Sequence, residues 1–121
     1  MSKQVRKKDL SYTTEVEVGI DIQNLKKFTE TIDRSEEIKH KLFTLNELGN
    51  GGMAHLCGIF CAKEALIKAG VIGVGEWQKV EILNTENGKP YVKLQSTDKV
   101  DNIKVSISHT DTICIAIAIK L

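Results

Sequence analysis

Two carboxylates and an ammonium stand out as groups that could handle a phosphate-bearing ligand. Asp21 directly follows an alternating stretch over 15–20 and precedes a helical pattern, and Glu64 and Lys68 lie four residues apart in the segment 53–69. Asp21 suits either a helix N-cap or one ligand of a hard cation. Magnesium takes one or two protein carboxylates and fills its other positions with water and phosphate oxygens, so Asp21 and Glu64 form a candidate pair. Glu64 and Lys68 read equally as a helix-surface ion pair worth about a few tenths of a kcal/mol. Ser108, His109 and Thr110 put three polar groups beside a turn, an arrangement suited to binding a phosphate or placing a water. Ser108 and His109 are strand neighbours and face opposite ways, so they do not pair as nucleophile and base. His55, Cys57 and Cys61 are zinc-type ligands without an obvious fourth, and buried small thiols account for the cysteines better.

The elements that must position these groups follow from periodicity. The stretch 15–20 alternates and is β-branched, which predicts a strand; Leu25, Phe28 and Ile32 then recur at helical spacing, predicting a helix over 22–33. Ser35 caps a second piece to Leu42, and Thr44 with Glu47 forms a capping-box pattern for a third. The longest helix is expected over 53–69, with Gly70 beyond its end. Leu56, Ile59, Phe60, Leu66 and Ile67 make one face of it, with Cys57, Cys61, Glu64 and Lys68 opposite. Lys63 projects from the apolar face, so it either finds a buried partner or snorkels out. Strands are expected at 79–83 and from Tyr91, joined by a turn at Asn87-Gly88, with Pro90 at a strand start. Two more are expected at 103–108 and 113–119. Helices grouped before strands argue α+β, with helices packed on a mainly antiparallel sheet. In the last strand Ile113, Ile115, Ile117 and Ile119 point one way, and Thr112, Cys114, Ala116 and Ala118 the other. The small face permits close approach of a helix or of a second subunit.

Composition removes other classes. Seventeen basic and sixteen acidic residues leave a net charge of +1, no footprint for nucleic acid, and one Trp, two Tyr and three Phe do not make a base-stacking platform. No apolar run approaches the roughly 18 residues of a membrane span. Three cysteines are too few for a disulfide scaffold and fit a reducing cytoplasm. Residues 1–14, carrying Lys3, Arg6, Lys7 and Lys8, are expected to be a flexible basic arm ahead of a single domain over 15–121.

Four segments in order, Gly19-Ile20-Asp21-Ile22, Phe60-Cys61-Ala62-Lys63-Glu64-Ala65 with Lys68, Asn87-Gly88-Lys89-Pro90 and Ser106-Ile107-Ser108-His109-Thr110, resemble the holo-acyl-carrier-protein synthases, the small trimeric 4′-phosphopantetheinyl transferases. The Thr44–Glu47 pattern matches a weaker motif of that family, and the likeness spans about residues 16 to 121. It implies the phosphopantetheinyl transferase fold and transfer of the phosphopantetheine arm of coenzyme A to a serine of an apo acyl carrier protein, leaving adenosine 3′,5′-bisphosphate. The nucleophile then belongs to the carrier, and the implied setting is fatty-acid and lipid biosynthesis. By position, Asp21 and Glu64 hold magnesium, Lys68 meets the reacting phosphate, and Gly88, Lys89, Pro90, Ser108, His109 and Thr110 line the coenzyme A cleft, with Lys63 bordering it. The resemblance also implies a homotrimer with clefts between subunits and an acidic carrier; Lys26, Lys27, Lys39, His40 and Lys41 read either as the matching positive patch or as a solvated helix face. The chain departs from the pattern at Ile59 and Lys27, where the family usually has arginine, at Asn24, commonly acidic, and at Ala54 and His55, commonly Glu and Phe. A family-like trimer that binds carrier protein or nucleotide without catalysis is the alternative.

Overall fold

The computed structural model describes residues 15–49, 51–95 and 100–121; the basic arm expected over 1–14 lies outside the described residues. Strand β1 (Glu17–Asn24) leads into helix α1 (Leu25–Asp33), followed by α2 (Glu36–Leu42), α3 (Leu45–Leu48) and the long α4 (Met53–Lys68). A 3₁₀ turn (Trp77–Lys79) precedes β2 (Val80–Asn84), β3 (Pro90–Leu94), β4 (Ile103–His109) and β5 (Ile113–Lys120). The strands form an antiparallel three-stranded sheet in the order β1-β5-β4 and a separate β2-β3 hairpin. The α+β expectation holds, with the sheet divided in two.

β1 runs further than its alternation predicted. It pairs with β5 through Asn24 opposite Ile113, so Asp21 sits within the strand and caps nothing. Asn24 takes the N-cap, its Oδ1 accepting from the Lys27 amide at 3.0 Å. Ser35 and Thr44 cap α2 and α3 as expected, and Thr44 with Glu47 closes a complete capping box.

α4 is the centre of the core rather than an amphipathic surface helix. It is buried on both flanks, Leu56 and Ile59 on one and Cys57 and Cys61 on the other. β1 lies close against it: a Cβ on Gly19 would stand 1.9 Å from the Ala65 carbonyl oxygen. Only glycine fits at that crossing. The same closeness selects the small face of β5, where Cys114, Ala116 and Ala118 pack inward. A helix therefore occupies the small face, and no subunit contact is available there.

The outer face of the sheet is the reverse of ordinary patterning. Val18, Ile20 and Ile22 of β1 are 53–61% exposed, and Ile113, Ile115 and Ile117 of β5 are 36–40% exposed. The register aligns Ile20, Ile117 and Ser106 in one row and Ile22, Ile115 and Ser108 in the next.

Candidate active site

Asp21 points from β1 into the contact with α4 and is only 8% exposed. A carboxylate so placed must be compensated. Its Oδ1 accepts from Lys68 Nζ at 3.1 Å, and its Oδ2 from Gln23 Nε2 at 2.8 Å and from the Cys61 thiol at 3.5 Å. Lys68 Nζ also donates to the Ile20 carbonyl at 3.1 Å, while over half of its side chain stays exposed. Cys61, Glu64 and Lys68 follow one another at three- and four-residue steps, which align on one helix flank. Asp21 touches the first and the last of them, and Glu64 lies between the two on the same helix flank. Glu64 Oε2 accepts from the Trp77 indole Nε1–H at 2.8 Å. Lys68 pairs with Asp21 across the strand–helix contact rather than with Glu64 along the helix.

A cleft of about 490 Å³ opens on a second flank of α4, lined by Ala54, His55, Gly58 and Ile59 from the helix, by Asn84, Pro90, Ile107 and His109 from the strands, and by Gly88 from the β2–β3 turn. Gly88 reaches it through a turn that needs φ +88°, the left-handed region glycine favours. Asp21, Glu64 and Lys68 are absent from this lining. Stepping 100° per residue places Gly58 and Glu64 about 120° apart around α4. The two halves of the expected site thus occupy different flanks of one chain.

Other expected site residues separate further. Ser108 faces the apolar outer sheet rather than the cleft, because it and His109 alternate along β4. Thr110 Oγ1 accepts from the Thr112 and Ile113 amides and so holds the β4–β5 turn. Lys89 is exposed in its turn and is not among the cleft residues. Lys63, expected to border the coenzyme A cleft, is sealed: its side chain is 0% exposed. Its Nζ donates to Glu47 Oε1 at 2.7 Å, the Trp77 carbonyl at 2.8 Å and the Leu42 carbonyl at 2.9 Å. An ammonium has three donors and all are spent. Burial pushes its pKa down, against the Glu47 carboxylate, which holds it up. It neither snorkels nor reaches a ligand.

Periodicity did not single out Trp77, Gln23 or Asn84, and His55 entered only as a zinc-type ligand. His55 faces the cleft while Cys57 and Cys61 face the sheet, so the three do not converge. Among the described residues no group of three or more His, Cys, Asp or Glu is gathered as a metal site. Cys57, Cys61 and Cys114 are free and fully buried. Burial, then the Asp21 charge, pushes the Cys61 thiol up to about 12, and burial raises Cys57 further. With all three sulfurs sealed from solvent, they are expected to resist iodoacetamide in the folded protein and to react in denaturant. Native-state labelling at the rate of a free thiol would contradict this burial.

Comparison with known proteins sets this geometry in a family. The family model described as 4′-phosphopantetheinyl transferase superfamily matches residues 17–118. A holo-[acyl-carrier-protein] synthase of Alkaliphilus metalliredigens is 34% identical over 116 residues, covering 84% of this chain and 95% of that protein. The Latilactobacillus sakei synthase is 36% identical over 110 residues, covering 84% and 92%. Among solved structures, a Bacillus anthracis holo-(acyl-carrier-protein) synthase in complex with CoA (3′,5′-ADP) superposes with TM-score 0.71 at 27% identity, covering 86% of this chain and 94% of that one. The Neisseria meningitidis synthase gives TM-score 0.74 at 19% identity over 87% and 97%, a likeness of fold. The chain therefore belongs to the holo-acyl-carrier-protein synthases of the 4′-phosphopantetheinyl transferase superfamily.

Proposed function

We propose that this protein transfers the 4′-phosphopantetheine arm of coenzyme A to a serine of an apo acyl carrier protein. The observation that carries this reading is the set of groups along one flank of α4: a buried carboxylate on Asp21, an adjacent half-exposed ammonium on Lys68, and the Glu64 carboxylate held by an indole N–H. Such a cluster suits phosphoryl transfer, which needs alignment and charge neutralisation more than a protein nucleophile. In the reaction the carrier serine loses its proton and its oxygen attacks the phosphorus that bears the pantetheine arm. The bond to the other phosphate breaks, and adenosine 3′,5′-bisphosphate leaves.

The donor set fits magnesium: two hard carboxylates, one of them buried and already drawing a cation to itself. Asp21 and Glu64 are the residues that would hold the ion, whose charge offsets that of the pyrophosphate and acidifies bound water. Lys68 balances Asp21, and its exposed stem lets it turn to a phosphate oxygen. Glu64 or a water beside it accepts the serine proton. The cleft formed by Gly88, Pro90 and His109 would take the remainder of coenzyme A. Release of adenosine 3′,5′-bisphosphate only when apo carrier, coenzyme A and magnesium are all present tests the reading; release without carrier, or none at all, would refute it.

The separation of cluster and cleft, with the apolar outer sheet, supports a homotrimer in which each site is shared by two copies. Closed cyclic assemblies bury such a patch on every copy at once. Ser108, on that outer face, would then meet a neighbour's ligand. Ile20→Glu is expected to give a folded monomer with transfer lost, read by sedimentation and by carrier modification. A fully active monomer would contradict shared sites. The exposed bases on α1 and α2, Lys26, Lys27, His40 and Lys41, with Lys39 beside them, suit docking of an acidic carrier. The reduced state of the buried thiols accords with a cytoplasmic enzyme, and no helix among the described residues is long and apolar enough to cross a membrane.

A further inference from the structure

We propose that Trp77 is a positioning residue for Glu64, setting the rotamer in which that carboxylate meets its cation. This rests on the reading of Asp21 and Glu64 as the metal pair. Two consecutive residues of α4 grip the same residue of the 3₁₀ turn. Lys63 Nζ donates to the Trp77 carbonyl at 2.8 Å, and the Trp77 indole donates to Glu64 Oε2 at 2.8 Å. The turn is anchored on its other side by Gln78, whose Nε2 donates to the His40 and Phe43 carbonyls, each at 2.8 Å. The indole is therefore fixed at both ends before any ligand arrives.

The consequence for Glu64 is specific. A glutamate on the flank of a helix has several staggered rotamers, and ordering such a side chain costs conformational entropy. The indole bond removes that freedom in advance and occupies one lone pair of Oε2. Oε1 has no protein hydrogen bond among the described residues and is left for a cation or a proton. Lys63 contributes at one remove: its buried ammonium serves the site by fixing the backbone of the residue that orients Glu64. A partner that orients a ligating carboxylate is worth roughly 10- to 100-fold in metal affinity.

Trp77 is the sole tryptophan of the chain, so it also reports on the site. Manganese, a paramagnetic stand-in for magnesium, is titrated into the protein saturated with coenzyme A, with free ion followed by electron paramagnetic resonance and Trp77 by its emission. Bound ion is expected to quench the emission in the wild type, and Trp77→Phe, which keeps the ring's bulk and removes the N–H, is expected to bind manganese about tenfold more weakly at unchanged melting temperature. Quenching needs no variant, so poor folding of Trp77→Phe leaves the test intact. Manganese bound without quenching, or bound equally well by folded Trp77→Phe, overturns the positioning role and leaves the metal pair standing. No binding by the wild type overturns the metal pair, and this role with it.

Discussion

Glu64→Gln is expected to lower carrier modification by about 10²- to 10³-fold while the protein stays folded, the scale typical of removing one transition-state charge contact. Gln is isosteric and keeps an oxygen to accept the Trp77 indole, so the turn at 77–79 has no reason to move. What disappears is the negative charge, and with it the hard ligand and proton acceptor that we propose for this position. Asp21→Asn should act in the same direction through a second route, since Lys68 then loses its counter-charge beside the strand. Turnover and circular dichroism of the two variants check this. Undiminished turnover in Glu64→Gln would remove Glu64 from the chemistry.

The largest loss of stability is expected at the Glu47–Lys63 pair. Glu47 is 1% exposed and satisfies three donors: the Thr44 amide at 2.9 Å, Lys63 Nζ at 2.7 Å and the Ile82 amide at 2.8 Å. Its carboxylate ties α3, α4 and β2 into one unit. Glu47→Ala strands a buried ammonium and two amides, and breaking a buried pair from one side costs about 3–5 kcal/mol. Lys63→Ala leaves the carboxylate uncompensated and frees the Leu42 and Trp77 carbonyls, a loss of similar size. The pair replaced together by apolar residues of like volume should cost much less, because no charge is then left unpaired. Urea unfolding of the three variants measures this; a loss below about 1 kcal/mol in Glu47→Ala would place the pair with exposed ion pairs instead.

Elements were more legible in the sequence than faces. The helix starts at Ser35 and Thr44, the turn at Asn87-Gly88 and the two last strands all carry local signals, and the structure has them where those signals lie. The end of β1 did not, because a ladder partner 89 residues beyond Asn24 in sequence, Ile113, extends the strand past Asp21 to Asn24. β5 is apolar on both faces, so alternation alone leaves its orientation open. The distance between β1 and α4 decides it, and Gly19 marks that distance only once the crossing is seen. Lys63 shows a different limit. A lysine among apolar neighbours reads as stray charge until Leu42, Glu47 and Trp77, distant in the chain, close around it. Of the candidate site, the spacing of Glu64 and Lys68 was visible, but the partner Lys68 takes is Asp21, and the indole on Glu64 had no periodic signature at all.

The reaction we propose for this chain is group transfer to a carrier protein. Intact-mass analysis of an apo acyl carrier protein, incubated with this protein, coenzyme A and magnesium, tests it in one step. The carrier is expected to gain the mass of one phosphopantetheine arm, and a chelator to abolish the gain. An unchanged carrier mass across several apo carriers, with coenzyme A binding intact, would contradict it and favour a non-catalytic binding trimer, with Ile59 in the cleft wall as the first residue to replace by Arg.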